Sequence, residues 1–102
     1  MQTQIQLAGQ PATLTADNPA KIRMQAAGGR ISQLLDIDHG YLHALHLVIA
    51  MLDADSRAKY PTPEVLAEII PDQGEAFEAV VGAAFQLANS AGWFVTAEQL
   101  QN

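Results

Sequence analysis

Hydrophobic and polar positions alternate along the start of the chain and then change period. Ile5 and Leu7 fall on one side of an extended segment, with Gln4 and Gln6 on the other. Ala8-Gly9-Gln10-Pro11 interrupts the pattern, and Ala12 and Leu14 resume it with Thr13 and Thr15 between. A period of two around a Gly-containing break predicts a β-hairpin over residues 3–15. Two strands alone are barely stable, so this hairpin should rest on helices or join another sheet. Its exposed edge is a natural joint for assembly.

After residue 17 the period becomes helical. Asp17-Asn18-Pro19 reads as a side-chain cap followed by proline at the first helical position, and Gly28-Gly29 as the stop of a helix running to about Ala27. Ile22 and Ala26 are expected to face the core, with Lys21, Arg23 and Gln25 outward. Ile31, Leu34 and Leu35 suggest one or two helical turns before Asp38. From about Asp38 to Ala54, Leu42, Leu45, Ile49 and Leu52 form one stripe. Ala44, Leu47, Val48 and Met51 widen it, and only His39, His43, His46 and Asp53 remain as a polar strip. A helix this apolar is either central in its bundle or shares a face with a partner.

Thr62 and Pro63 then start a helix whose expected buried face is Val65, Leu66, Ile69 and Ile70, ended by Pro71. Asp72 and Glu75 have the spacing of a capping box for a last, long helix. Phe77, Val80, Val81, Ala84, Leu87 and Ala88 form its stripe, Phe85 lies at the edge, and Gly92 ends it. The expected fold is mainly α (α+β), an N-terminal β-hairpin followed by a bundle of about four helices. Residues 1–102 read as a single domain, with the bundle over 18–92. The tail, 93–102, begins with Trp93-Phe94-Val95, which should pack back or form a contact site.

Composition adds an expectation of partners. Hydrophobic residues make up 49% of the chain and charged residues only 16%, against roughly 25% in an average soluble domain. So few charges leave apolar surface to be covered by another protein. Leu47, Met51, Phe85 and Trp93 exceed one helical face and are the expected protein-binding residues, and a homo-oligomer is the expected state. Net charge is −6, and every Lys and Arg (Lys21, Arg23, Arg30, Arg57, Lys59) precedes Tyr60. The charges from Tyr60 onward are all acidic, which argues against nucleic acid, whose phosphates require clustered cations. It also permits head-to-tail contact between copies or docking to a basic partner.

Chemistry finds little support. There is no cysteine, hence no disulfide or thiolate metal site. His39, His43 and His46 share a helical face at spacings of four and three, as metal ligands can. The glutamate of the metalloprotease motif is missing, and metal sites usually draw on more than one element, so no metal or other cofactor is expected. Glu64/Glu68 and Glu75/Glu78 are same-face helical neighbours, the pattern of a solvated surface. Ser32, Ser56 and Ser90 lack a nucleophile-elbow context, and Gly28-Gly29 fits no phosphate-binding loop. No catalytic residue is expected, and the chain reads as a non-enzyme. MQTQIQLAGQ lacks the basic start and apolar run of a signal peptide. The apolar stretch from Ala44 to Leu52 is far shorter than the ~20 residues of a membrane span. A cytoplasmic location without membrane contact is expected.

The segments IQLAGQPATLT, DNPAKIRMQAAGG, YLHALHLVIAML, TPEVLAEII and EAFEAVVGAAFQLANSAG follow one another in a familiar order. Over roughly Ile5 to Gly92 the chain resembles the small tail assembly chaperones of long-tailed phages and gene transfer agents. That resemblance implies a non-enzymatic protein in the host cytoplasm. It would coat the tape-measure protein, recruit tail-tube subunits, and in many cases have a longer frameshifted form. Two other readings fit the same residues. One is a structural virion component such as a head–tail adaptor or minor capsid or tail protein. The other is a metal-responsive regulator using the His strip.

Overall fold

In a computed structural model of the chain, described here for residues 1–30 and 40–94, two strands precede five helices. The strands are β1 (Gln2–Leu7) and β2 (Gln10–Thr15). The helices are α1 (Asn18–Ala26), α2 (Gly40–Met51), α3 (Ala54–Lys59), α4 (Pro63–Ala67) and α5 (Glu75–Ser90). The expected hairpin-plus-bundle architecture is therefore present, with one more helix than the pattern indicated. The helical turns expected over residues 30–37, apart from Arg30, together with His39 and the tail beyond Phe94, lie outside the described residues.

The hairpin is antiparallel with Leu7 opposite Gln10, so Ala8 and Gly9 are its two turn residues. Both have positive φ, 52° and 80°, the condition for the turn whose twist matches that of the strands. Ile5, Leu7, Ala12 and Leu14 are buried on one face, as the alternation requires. The buried face packs on helices: β1 against α5, and β2 against α2.

α1 begins with a side-chain cap, as expected, but Asp17 supplies it, its carboxylate accepting the Ala20 N–H at 2.8 Å, and Pro19 is the second helical residue instead of the first. Its end is a Schellman motif. Gly28, at φ 92°, donates to the Gln25 carbonyl, and Gly29 donates to that of Met24. Its buried residues, however, are Ala20 and Met24, whereas Ile22 is 62% exposed and Ala26 is also exposed. The apolar residues of this helix occur at every second position. Ala20/Met24 and Ile22/Ala26 are thus two i,i+4 pairs on opposite faces, and periodicity cannot choose between them. Gly29 helps to decide. A methyl group there would come within 2.7 Å of Met24 Cγ and 2.9 Å of His46 Cβ, so α1 and α2 approach closely at a glycine.

α2 lies at the centre, touching α1, α4, α5 and β2. His43, Ala44, Leu45, Leu47, Val48, Ala50 and Met51 are all buried, while Leu42 is 44% exposed and Ile49 half-buried. The core-facing surface is thus rotated from the expected stripe. The helix stops at Met51 because the chain bends to meet the hairpin: Leu52 bridges Leu14 in the manner of a third strand. Asp53 then caps the unexpected α3, accepting the Ser56 N–H at 2.9 Å. α4 starts at Thr62 and Pro63 as expected, and buries Leu66, with Ile70 buried just beyond it. Asp72 does not cap α5. That position falls to Gly74, at φ 102° with no side-chain bond. The expected α5 stripe is buried from Val80 to Ala88, with Phe77 half-buried.

Candidate functional site

The four residues expected to bind protein do not form one surface. Leu47 and Met51 are fully buried, each 0% exposed. They belong to the core, because α2 has intramolecular neighbours around most of its circumference. Trp93 is buried as well, and the reason is local. α5 ends in a second Schellman motif in which Gly92, at φ 81°, donates to Asn89 and Trp93 donates to Ala88. The residue at the Trp93 position of this motif folds back onto the last helical turn. Phe85 alone keeps some surface, and its ring stacks on Phe94 with centroids 5.6 Å apart.

His43 and His46 are also drawn into the structure. His43 is buried and accepts the main-chain N–H of Arg30 at its Nδ1, 2.9 Å away. It thereby ties the segment after α1 to the start of α2. His46 is half-buried 6.3 Å from the His43 ring. Burial, and then the proximity of His43, lower its pKa from the usual histidine value. Among the described residues no three His, Cys, Asp or Glu side chains are gathered as a metal site.

Two other features have the geometry of binding sites. The first is the outer edge of β1. The Ala16 N–H donates to the Met1 carbonyl, so the hydrogen-bonded pairs of the hairpin continue at Thr3/Leu14, Ile5/Ala12 and Leu7/Gln10. The alternate residues point their main-chain groups away from the partner strand. On β2 these are Pro11, Thr13 and Thr15, and that edge is closed. Asp53 takes the Thr13 N–H on its carboxylate at 2.9 Å and returns its own N–H to the Thr13 carbonyl at 3.0 Å, while Pro11 has no N–H to offer.

On β1 the outward groups belong to Gln2, Gln4 and Gln6, all exposed. Among the described residues, β2 is the sole sheet neighbour of β1. No Asp, Glu, Lys or Arg occurs before Asp17, so the edge lacks the charges that usually guard exposed strands. A groove of about 270 Å³ adjoins it where β1 meets α5, lined by Gln2, Thr3, Ala83, Gln86, Leu87 and Ser90.

The second feature is a cleft of about 280 Å³ near the C-terminal end of α2, lined by Arg23, His46, Ile49, Arg57, Pro61 and Pro63 among others. Arg23 was expected to point outward. Instead its Nε donates to the Ala50 carbonyl at 3.0 Å, and Arg57 Nη1 donates to that of Leu52. Both cations therefore satisfy carbonyls where α2 ends, at the negative end of its dipole. Every Lys and Arg precedes Tyr60, but residues on separate elements cannot be paired from spacing.

Among the described residues, no helix is long and apolar enough to cross a membrane. No family model, curated protein or solved structure matches the chain.

Proposed function

We propose that this chain is a non-enzymatic assembly factor that binds another protein by adding a strand to β1. The observation that carries the reading is the asymmetry of the hairpin. One edge is sealed by Asp53 and Pro11, and the other is neutral, free of proline and, among the described residues, open. Strand addition takes its affinity from main-chain hydrogen bonds and its selectivity from side-chain pockets beside the edge. The groove against α5 supplies such a pocket.

The resemblance to small tail assembly chaperones names a client, the tape-measure protein, which would bind through an extended segment, with tail-tube subunits as further partners. Under this reading the apolar helices serve the chain's own core, and the carboxylates of the second half keep the complex in solution. That division differs from one in which α2 itself covers the client.

Gln4→Pro tests the proposal. It removes an outward N–H without taking a hydrogen bond from the hairpin, and Thr3 before it is already extended, as a proline requires. Tagged wild-type and variant chains would be compared by capture from the native host and mass spectrometry. The expected result is a long helical tape-measure-type protein held by the wild type and lost by a variant with unchanged circular dichroism. Equal recovery by both chains, or recovery by neither, would refute it.

A further inference from the structure

The cleft between α1, α2, α3 and the segment leading to α4 joins two kinds of surface that an acidic protein seldom places together. Ile49, Pro61, Pro63 and nearby alanines make its walls mostly apolar, and Arg23 and Arg57 are among the residues that line it. Each guanidinium is anchored by one hydrogen bond to a carbonyl at the end of α2. Among the described residues, that bond uses one of the five N–H donors of each guanidinium. Helix capping accounts for their position. It does not account for two like charges converging on one apolar hollow in a chain of net charge −6.

The electrostatics around Arg23 point the same way. Burial weakens its hold on its proton, and the repulsion of Arg57 adds to this effect more than the attraction of Asp17 offsets it. A bound anion would relieve both. A guanidinium fork fits the planar, two-oxygen edge of a carboxylate, and the hollow has room for a few carbon atoms beyond that head group.

We infer that this cleft binds a carboxylate borne on a compact apolar group, its oxygens on Arg23 and Arg57 and its apolar part against Ile49, Pro61 and Pro63. The carboxylate can be that of a free organic acid or of a protein chain ending in an apolar residue. The inference does not depend on strand addition at β1, which lies elsewhere on the molecule.

The test follows the Ile49 methyl and His46 ring signals of the whole chain by NMR during titration with four probes. These are phenylacetate, its neutral amide phenylacetamide, inorganic phosphate, and an acetylated peptide ending in a free C-terminal leucine. Saturable shifts are expected with phenylacetate or the peptide, and the tighter of the two identifies the source. Losing charge-assisted hydrogen bonds should make phenylacetamide at least about tenfold weaker. Phosphate, with no apolar part, should leave Ile49 unmoved. The bound carboxylate should also raise the titration midpoint of His46, which neighbours the site together with His43, Arg23 and Arg57. Arg57→Gln should abolish the shifts, while Arg57→Lys should weaken them at retained charge. Absence of saturation with both carboxylates, equal binding of the amide, or indifference to Arg57→Gln would overturn the inference. The amide comparison needs no variant, so it decides even where a substitution harms folding.

Discussion

Ala8 is the residue whose conformation is least suited to its side chain. It is the one non-glycine residue with positive φ among those described, at the first position of a turn that needs positive φ twice. The left-handed region costs an ordinary L-residue roughly 1–2 kcal/mol, a penalty that asparagine escapes in part and glycine entirely. Ala8→Asn, which creates Asn-Gly, should therefore stabilise the fold by about 1 kcal/mol in urea denaturation. A neutral or destabilising result would mean that the turn differs from the one described. Gly29 is the opposite case, a glycine needed for closeness to Met24 and His46 rather than for an unusual φ. A sequence marks both positions as turn or stop signals, but it cannot say which neighbour a missing side chain makes room for.

At the scale of elements, Asp53 is the residue on which the hairpin depends. It caps α3 through Ser56 and seals β2 through Thr13, joining a helix start to a strand edge with one carboxylate. The main-chain N–H groups of Thr13 and Ser56 and the Ser56 hydroxyl hold its pKa below the ordinary aspartate value, outweighing the opposing effect of burial. As the pH falls, the unfolded chain takes up the proton before the folded one. The stabilisation from Asp53 is therefore whole above the ordinary aspartate range and is lost as the pH drops through the lower, folded value.

Asp53→Ala should cost about 1–3 kcal/mol near neutral pH, and the gap from wild type should close in strong acid, as read by denaturation at several pH values. A gap independent of pH would exclude the carboxylate as its cause. The caps at Asp17 and Thr62, the alternation of the strands and the α5 stripe were all legible in the sequence, because each is a local pattern with a local cause. The bend at Leu52 and the true face of α1 were not, since each is settled by a contact distant in sequence: Leu14, and Gly29 against His46. The α3 helix has a cap as local as those at Asp17 and Thr62, but it lies where the apolar pattern continues the preceding helix to about Ala54.

For the molecule as a whole, the main lesson concerns where the apolar surplus goes. Few charges and a broad apolar helix suggested a docking face on α2, yet Leu47 and Met51 lie at the centre of the core. Leu47→Ala should accordingly cost about 2–5 kcal/mol, and Leu47→Asp should unfold the chain instead of only releasing a partner, as calorimetry would show. A folded, stable Leu47→Asp protein would restore α2 as the docking face.

Under the proposal of strand addition, assembly rests on the β1 edge, whose outward main-chain groups at Gln2, Gln4 and Gln6 are set by the register of the hairpin. Amide hydrogen exchange at single-residue resolution, on the free chain and on its complex with a captured client, tests this most directly. In the free chain Gln4 and Gln6 should exchange quickly while Ile5 and Leu7, paired across the hairpin, are protected. In the complex Gln4 and Gln6 should become protected as well. A client that binds while Gln4 and Gln6 exchange as before would contradict strand addition at β1.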